Sequence, residues 1–536
     1  MDMAMMNQGD KTLQVPLCRR QMTAELNGDF SLPDYQPEIR RLLRITATVQ
    51  APTRYAGSGS VDLSGSVDYF VLYAGNDGGL YCAPLSAEYR MNVPFEGKGV
   101  PADPPVVICT PRAENVAGRV TAPRRLNIRC RLGADVTVMG EVTPGSGDGA
   151  DMVPGSLERL EGSAQAGRLF SAVGETLELT DDMITSPGEK ERVICADGQV
   201  MVTEAAAGAG TVTCRGEVVL RLTVTPMESV AAPDEVPLAA ASGQDGESKA
   251  SRPLPRVLIR KVPFSQTIDV PGVTPACRAC ARGTCDSLSV QAEEDKLHTD
   301  FGVVLDVLAQ QNETVTYVRD SFSTDSESSC TYETYTPDAA VDCVNGNFTL
   351  SDSLPLTDAG VDAGAAILDV TASAFPESVT VERDRCILTG TCRAQLLTEK
   401  GGEFGSVELT LPFRYETATA LSDPDAALTY NACTDVISCR ARMDGERIGL
   451  DAEIAVALRT AVPAPLTVQG SVTLGPGVRR AGGEYVICYP APSDTLWTVA
   501  KRYRVPVTAL SAANELKPDV SPDAPDSLAG VKYLIV

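Results

Sequence analysis

The sequence has 536 residues, and about 100–200 residues per domain predicts a chain of several domains. Its formal net charge of −25 repels phosphate groups, which argues against nucleic acids and anionic membrane surfaces as partners. Plentiful glycine (45) and proline (36), with only 5% aromatic residues, favour short strands and turns over long helices.

The N-terminal stretch MDMAMMNQGDKTLQVPLCRR lacks the features of an export signal. A signal peptide needs a basic start and about 7–15 continuous apolar residues. Polar residues interrupt any such run here: Asp2, Asn7, Gln8, Gly9, Asp10 and Lys11. No segment reaches the roughly 18–20 apolar residues of a membrane span. We therefore expect a soluble, cytoplasmic protein with no membrane insertion.

Four landmarks recur three times in the same order. The first is a glycine followed by alternating apolar residues and an acidic turn, at residues 28–35, 174–182 and 346–353. An alternating segment with an internal glycine follows, at residues 61–75, 211–224 and 386–402. Next comes a Pro-Phe motif, NVPF, KVPF or TLPF, at residues 92–95, 261–264 and 410–413. A predicted hairpin closes each repeat, at residues 114–138, 286–307 and 435–458. This order predicts internal structural repeats.

Each repeat is expected to form an antiparallel β unit, because alternation at period two buries one face of a strand. The fold class is therefore multidomain and mostly β, with three repeated β units, few short helices and a small C-terminal βααβ domain. We assign the units to residues 1–141, 157–308 and 309–473, and the C-terminal domain to residues 484–536. The second unit carries a Pro-, Ser- and acid-rich insertion at about 229–255, which is expected to be a flexible surface excursion.

A short helix is expected within QPEIRRLLR, close to the start of the first unit. Pro37 suits the first position of a helix, and Glu38 suits its positive N-terminal end. Ile39, Leu42 and Leu43 would then share one face of the helix.

Residues 28–49, GDFSLPDYQPEIRRLLRITATV, resemble the beginning of SPOCS domains, which occur in spore-coat morphogenetic proteins of endospore-forming Firmicutes. The matching positions are Leu32, Pro33, Asp34, Tyr35, Pro37, Ile39, Leu42 and Leu43. The second and third units lack the tyrosine and the helix pattern, and the repeated landmarks assign them to the same type.

The second unit contains the cysteine cluster CRACARGTC. Its Cys277, Cys280 and Cys285, with the single histidine His298, are the residue types of a Cys₃His zinc site, and C-x₂-C is also a redox spacing. No second knuckle or close histidine pair accompanies them, so inert thiols and a strand-face histidine are the leading interpretation. The sixteen cysteines lie mostly on apolar runs and are expected to be reduced and buried. No metal or other cofactor is assigned.

Motifs for catalysis are missing from the sequence. Any His-dependent triad would have to use His298, and no nucleophile elbow accompanies it. We find no P-loop and no Rossmann glycine fingerprint. We therefore expect a protein that is not an enzyme.

The C-terminal stretch SDTLWTVAKRYRVPVTALSAAN predicts two short helices between two strands, EYVICY and VKYLIV. Asp494 is expected to cap the first helix, and Asn514 to end the second in the left-handed conformation. This βααβ pattern resembles a LysM domain at the following positions: Asp494, Thr495, Leu496, Trp497, Ala500, Tyr503, Val505, Leu510, Ala513 and Asn514.

The LysM resemblance implies a groove for N-acetylglucosamine between two walls. Trp497 stands beside them, and the walls themselves are formed by Ser493, Asp494, Thr495 and Leu496 on one side and by Asn514, Glu515, Leu516 and Lys517 on the other. Ser493 stands where the family has glycine, and the loop after Asn514 is long and acidic. The groove could therefore hold either a sugar or a protein. Trp497 is either an exposed contact residue or a partly buried structural one.

Serial SPOCS-like units followed by a LysM-like domain resemble the SipL type of spore-coat morphogenetic protein. The resemblance implies a non-enzymatic scaffold in the mother-cell cytoplasm, at the forespore surface, that binds the ATPase of the coat's base layer. The alternative hypothesis is a protein that binds peptidoglycan, a polymer containing N-acetylglucosamine, through its LysM domain and uses the β units as spacers.

Overall fold

The computed structural model describes residues 12–536 apart from 58, 97–99, 102–105, 144–156, 186–190, 227–253, 294, 422, 424, 426, 479–485 and 517–520. Strands dominate the described residues, and the three helices among them are short. The fold prediction is confirmed: the chain is mostly β, its sheets are grouped into three antiparallel units, and a βααβ domain follows them.

The first β unit contains strands β1 Leu13–Ser31, β2 Ile39–Val49, β3 Thr53–Ala56, β4 Ser60–Gly75, β5 Leu80–Pro94, β6 Val100–Pro101, β7 Val107–Ala122 and β8 Arg125–Val142. One sheet places β8 between β1 and β7, with the short β6 also paired to β8. The other sheet places β4 between β5 on one side and β2 and β3 on the other.

The second β unit contains β9 Leu157–Val173, β10 Leu177–Ile184, β11 Glu191–Ala207, β12 Thr211–Pro226, β13 Arg256–Asp269, β14 Arg278–Ala292 and β15 Lys296–Ser323. Strand β15 pairs with β14 on one side and with both β10 and β9 on the other. Strand β12 lies between β11 and β13.

The third β unit contains β17 Asp338–Pro355, α1 Leu356–Ala359, β18 Ala366–Glu382, β19 Arg385–Lys400, β20 Glu403–Ala418, β21 Thr429–Asp444 and β22 Arg447–Pro463. Strand β22 lies between β17 and β21, and β19 lies between β18 and β20. A two-stranded arm flanks this unit in the chain and consists of β16 Ser326–Tyr335 and β23 Leu466–Gly477.

The three units share one topology. In each, the first strand pairs with the last, the middle strands form a meander, and the two resulting sheets face each other. Alternation at period two directs apolar residues from both sheets into the space between them. Representative pairs from the two sheets are Val71 and Ile128, Leu220 and Leu305, and Leu388 and Ile454.

A glycine in the central strand lies opposite an aromatic ring in every unit. The register pairs are Gly65 with Tyr89, Gly216 with Phe264, and Gly390 with Phe413. A Cβ on each glycine would come within 3.0 Å of that ring, so the ring occupies the space that a side chain would fill. The equivalent aromatic residue in the first unit is therefore Tyr89, and the predicted equivalence of its NVPF motif with KVPF and TLPF is wrong.

The helix predicted after Pro37 is strand β2 instead. Ile39 and Leu42 pack into the core of the first unit, whereas Leu43 packs in a different cluster with Leu397 of the third unit. Burial on both faces of a strand gives nearly continuous apolar residues, and this pattern resembles helical spacing over a short stretch.

The predicted unit boundaries stay predictions. Strand β15 continues through residue 308, and the first strand of the third unit begins at Asp338. The predicted insertion at 229–255 lies almost wholly outside the described residues.

Candidate functional site

The C-terminal module consists of β24 Ile487–Cys488, α2 Leu496–Tyr503, α3 Val507–Ala513 and β25 Leu534–Ile535. Thr495 caps α2: its hydroxyl accepts a hydrogen bond from the Thr498 backbone N–H, and the Thr498 hydroxyl accepts one from the Thr495 N–H. This reciprocal box satisfies two backbone donors at the helix start. The predicted cap, Asp494, was wrong by one residue.

Asp494 braces the module from within. Its carboxylate accepts hydrogen bonds from Arg502 at 2.6 and 3.1 Å and from the Ala491 backbone N–H at 2.9 Å. The bond from Arg502, with the help of the Ala491 N–H, holds the pKa of Asp494 below its ordinary value. With its oxygens engaged in this way, Asp494 shapes the turn before α2 rather than presenting a free carboxylate.

The second predicted wall is also built into the module. Asn514 donates to the carbonyls of Leu510 and Ile535 at 2.9 and 2.8 Å and accepts from the Ile535 N–H at 2.7 Å. Its φ is −114°, and the left-handed conformation predicted for it belongs to Glu515, at φ 51°. Leu516 packs against the module core, and Lys517 lies outside the described residues.

The two backbone donors at the start of α2 are bonded to the loop that follows α3. The Leu496 N–H donates to Ser527 Oγ at 3.1 Å, and the Trp497 N–H donates to the Pro522 carbonyl at 2.8 Å. A sugar entering the predicted groove would have to replace these bonds to use the same donors. Ser493 and Glu515 are the exposed residues at its rim.

Trp497 is buried against the second β unit and is only 4% exposed. Its ring meets Phe322 of β15 edge-on, with 5.1 Å between ring centroids, and its Nε1–H donates to Asp320 at 2.8 Å. Lys501 donates to both oxygens of the same carboxylate at 2.6 and 2.7 Å. Of the two alternatives for Trp497, the structure selects the buried one.

We call Asp320, Phe322, Trp497 and Lys501 the docking contact. Phe322 belongs to the same apolar cluster as the core of the C-terminal module, so the two parts share one core. Burial alone raises the pKa of Asp320, but hydrogen bonds from Lys501, Trp497 and Tyr332 outweigh it and hold that pKa below its ordinary value. Ionised Asp320 is thus the acceptor that fixes α2 on strand β15.

The family model of the LysM domain matches residues 491–524, which contain α2, α3 and both groove walls. Residues 491–524 are a LysM domain. The match suggests a polymer of N-acetylglucosamine, such as peptidoglycan, as a ligand class. No curated protein and no solved structure matches the chain. None of the helices in the described part of the chain has the length and apolar character needed to cross a bilayer.

The C-terminal module, which contains the LysM domain, exposes apolar residues on the outer side of its two-stranded sheet. Cys488 and Leu534 point into the core, so their neighbours point outward. We call this surface the outer sheet face; it consists of Ile487, Tyr489, Tyr533 and Ile535, with exposures of 57%, 75%, 54% and 37%. The sequence already indicated this surface. In YVICY and YLIV, successive residues are apolar or aromatic without alternation, which is typical of strands covered on both faces.

The four residues of the candidate zinc site lie apart from one another. Cys277 donates to Gln311, Cys280 lies beside Cys343 of the third unit, and His298 lies between two aspartates. Among the described residues, no group of three or more His, Cys, Asp or Glu side chains is arranged to hold a metal ion. All sixteen cysteines are free, and none is fully exposed.

The titration of His298 reports on its hydrogen bond with Asp182. Its Nδ1 lies 2.6 Å from Asp182 Oδ1, and this hydrogen bond raises the pKa of His298 above 6.5. Because the folded pKa is raised, any stabilising contribution is complete below the unfolded pKa and is lost as pH rises through the folded pKa. Asp182→Asn is expected to lower the titration midpoint of His298. Proton NMR of the single imidazole measures it directly.

The matched control for this titration is Asp352→Asn, a change in the third unit that should leave the His298 midpoint where it is. An Asp182→Asn protein with an unchanged midpoint would show that Asp182 does not set the pKa of His298.

Proposed function

We propose that this protein is a non-enzymatic scaffold of the spore coat that acts in the mother-cell cytoplasm at the forespore surface. In this proposal its C-terminal module binds the ATPase of the coat's base layer through the outer sheet face. The observation that carries the proposal is the contrast between an exposed apolar face and a groove whose backbone donors are already bonded.

The outer sheet face favours a protein partner. Exposed aromatic and branched side chains are typical of the centres of protein interfaces, where tyrosine supplies both apolar area and a polar hydroxyl. Ile487 and Ile535 lie directly opposite each other in the ladder, and Tyr489 and Tyr533 extend the surface by one residue on each strand. A flat apolar surface of this kind offers few directed donors to a hydrated sugar.

The β units support the scaffold role through their number and arrangement. Three units of one topology, packed against one another, present several protein surfaces on one chain, and linked sites raise apparent affinity through effective concentration. The SPOCS assignment rests on residues 32–43. Within them Leu32 and Leu43 are buried and so have structural roles, whereas Tyr35 is 85% exposed and available to a partner.

Peptidoglycan binding is the second candidate, and the LysM match favours it. Ser493 is exposed at the rim of the groove, and Thr495 is half-buried beside it. In this case a glycan chain would replace the bonds from the Leu496 and Trp497 N–H groups to the loop after α3.

The deciding experiment compares two exposed tyrosines in the full-length chain. Tyr489→Ser removes a ring that is 75% exposed from the outer sheet face. Tyr55→Ser removes a ring that is 73% exposed from the first unit. We expect Tyr489→Ser to weaken binding to the purified base-layer ATPase by at least about tenfold, since tyrosines are frequent interface hot spots. Tyr55→Ser should bind like the unmodified chain. Surface plasmon resonance provides the affinities.

Co-sedimentation with insoluble peptidoglycan tests the second candidate on the same proteins. Tight retention on peptidoglycan, with no measurable binding to the ATPase, would overturn the scaffold proposal. In sporulating cells a tagged copy is expected at the forespore surface, and uniform labelling of the vegetative cell wall would count against it.

A further inference from the structure

Two pairs of cysteines meet across the boundaries between β units. Cys82 of β5 lies 3.3 Å from Cys195 of β11, sulfur to sulfur, and joins the first unit to the second. Cys280 of β14 lies 2.7 Å from Cys343 of β17 and joins the second unit to the third. A disulfide bond is about 2.05 Å long, so the two sulfur atoms of either pair are in contact but not bonded.

The two pairs differ in access to solvent. Cys280 and Cys343 are 2% and 5% exposed and lie inside the interface. Cys82 and Cys195 are both half-buried, so they are the more accessible of the two pairs. Thiol exchange requires this access as well as a reactive thiolate.

The surroundings of Cys195 favour its thiolate. The hydrogen bond from Cys82 lowers the pKa of Cys195 against the opposing effects of burial and Asp197, and the guanidinium groups of Arg44 and Arg221 lower it further. The same hydrogen bond, together with burial, raises the pKa of Cys82 well above its ordinary value. The pair therefore contains one thiol suited to attack and one suited to follow it.

We propose that Cys82 and Cys195 form a reversible disulfide between the first and second β units through exchange with a low-molecular-weight disulfide such as glutathione disulfide. The inference rests on the contact between the two sulfurs, their access and the two flanking guanidinium groups. It is independent of what the LysM domain binds. A reversible bond of this kind is compatible with a reducing compartment, where disulfides are transient and redox-sensing.

The exchange has two balanced steps. The Cys195 thiolate attacks one sulfur of glutathione disulfide, forms a Cys195–glutathione bond and releases one glutathione thiolate. Cys82 then loses its proton to water, attacks the Cys195 sulfur and releases the second glutathione thiolate. Two cysteine thiols are oxidised to one protein disulfide, while one glutathione disulfide is reduced to two thiols.

The test uses the reduced full-length protein, exposed to glutathione disulfide under native conditions. Remaining thiols are blocked with N-ethylmaleimide, and peptides are mapped without reduction. We expect a cross-linked peptide containing Cys82 and Cys195, and its loss on adding excess reduced glutathione. If Cys82 and Cys195 remain blocked as free thiols, or if Cys280–Cys343 forms first, the proposal is overturned.

Two single variants test the order of reaction. Cys82→Ser is expected to retain glutathione on Cys195, because the second thiol that would displace it is gone. In Cys195→Ser, glutathione disulfide should react with Cys82 more slowly than it reacts with Cys195 in Cys82→Ser, because Arg221 as well as Arg44 lowers the pKa of Cys195. Cys18 and Cys330 are half-buried too and serve as internal comparisons within each protein. Modification of Cys195 no faster than these two residues would also overturn the proposal. The cross-link map of the unmodified protein remains decisive if a variant fails to fold.

Discussion

Replacing Asp369 with alanine is expected to lower the free energy of unfolding by about 3–5 kcal/mol, the range for breaking a buried ion pair by removing one partner. Asp369 of the third unit is 3% exposed. Its carboxylate accepts from Arg44 of the first unit at 2.7 Å and also from Arg221 of the second unit. All three β units therefore meet at one buried carboxylate.

The cost arises from what the substitution leaves behind. Arg44 is 7% exposed, and burial already lowers the pKa of its guanidinium group, which is the sign of a charge poorly solvated by water. Without Asp369 this charge loses the carboxylate that compensates it. Arg221 is also mostly buried, and burial lowers its pKa as well. Removing the carboxylate and both guanidinium groups together, as in Arg44→Met, Arg221→Met and Asp369→Leu, should recover much of the loss.

Denaturant unfolding of the reduced protein measures the effect. The matched control is Glu403→Ala, which breaks a 2.7 Å ion pair with Arg40 at side-chain exposures of 64% and 53%. Exposed ion pairs contribute about 0–1 kcal/mol, so this change should shift the midpoint only slightly. Equal shifts for the two variants would contradict a special role for the carboxylate at the junction of the units.

Replacing Phe322 with alanine is expected to weaken the attachment of the LysM domain by about 3–5 kcal/mol, the range for truncating a buried phenylalanine. Phe322 is 1% exposed and packs edge-on against Trp497. Because Trp497 is the single tryptophan of the chain, its emission reports on the docking contact alone. We expect the emission to shift to longer wavelengths as water reaches the indole.

The control variant is Phe301→Ala. Phe301 is 0% exposed and belongs to the core of the second unit, so the same side chain is lost at a site outside the docking contact. Its free energy of unfolding should fall by a similar amount, but native-state emission should stay the same. An unchanged emission maximum in Phe322→Ala would show that Phe322 does not hold the LysM domain in place.

Local sequence patterns predicted the structure correctly wherever the neighbours of a residue along the chain decide its conformation. Alternation at period two predicted the hairpins that close the three units. In the third unit, Gly445 with φ 60° lies in the turn between β21 and β22. The stretch SDTLWTVAKRYRVPVTALSAAN likewise predicted helix α2. These signals depend on short-range geometry and on one covered surface.

The same patterns gave wrong or open predictions where a distant part of the chain covers another face of the strand or helix. Leu43 resembled part of a helical stripe because the neighbouring units bury it from the other side of β2. Trp497 had two possible roles because its partner, Asp320, lies 177 residues earlier in the chain. Periodicity describes the faces of one element and carries no information about which distant element covers them.

The sequence by itself determined that the chain is mostly β, that it repeats and that it ends in a LysM domain, since alternation, turns and a compact motif are local properties. Tertiary structure alone decided that Asp369 joins three units, that Cys82 meets Cys195 and that Trp497 is buried. Each of these contacts joins residues more than 100 positions apart, and only the packing of whole sheets sets such distances.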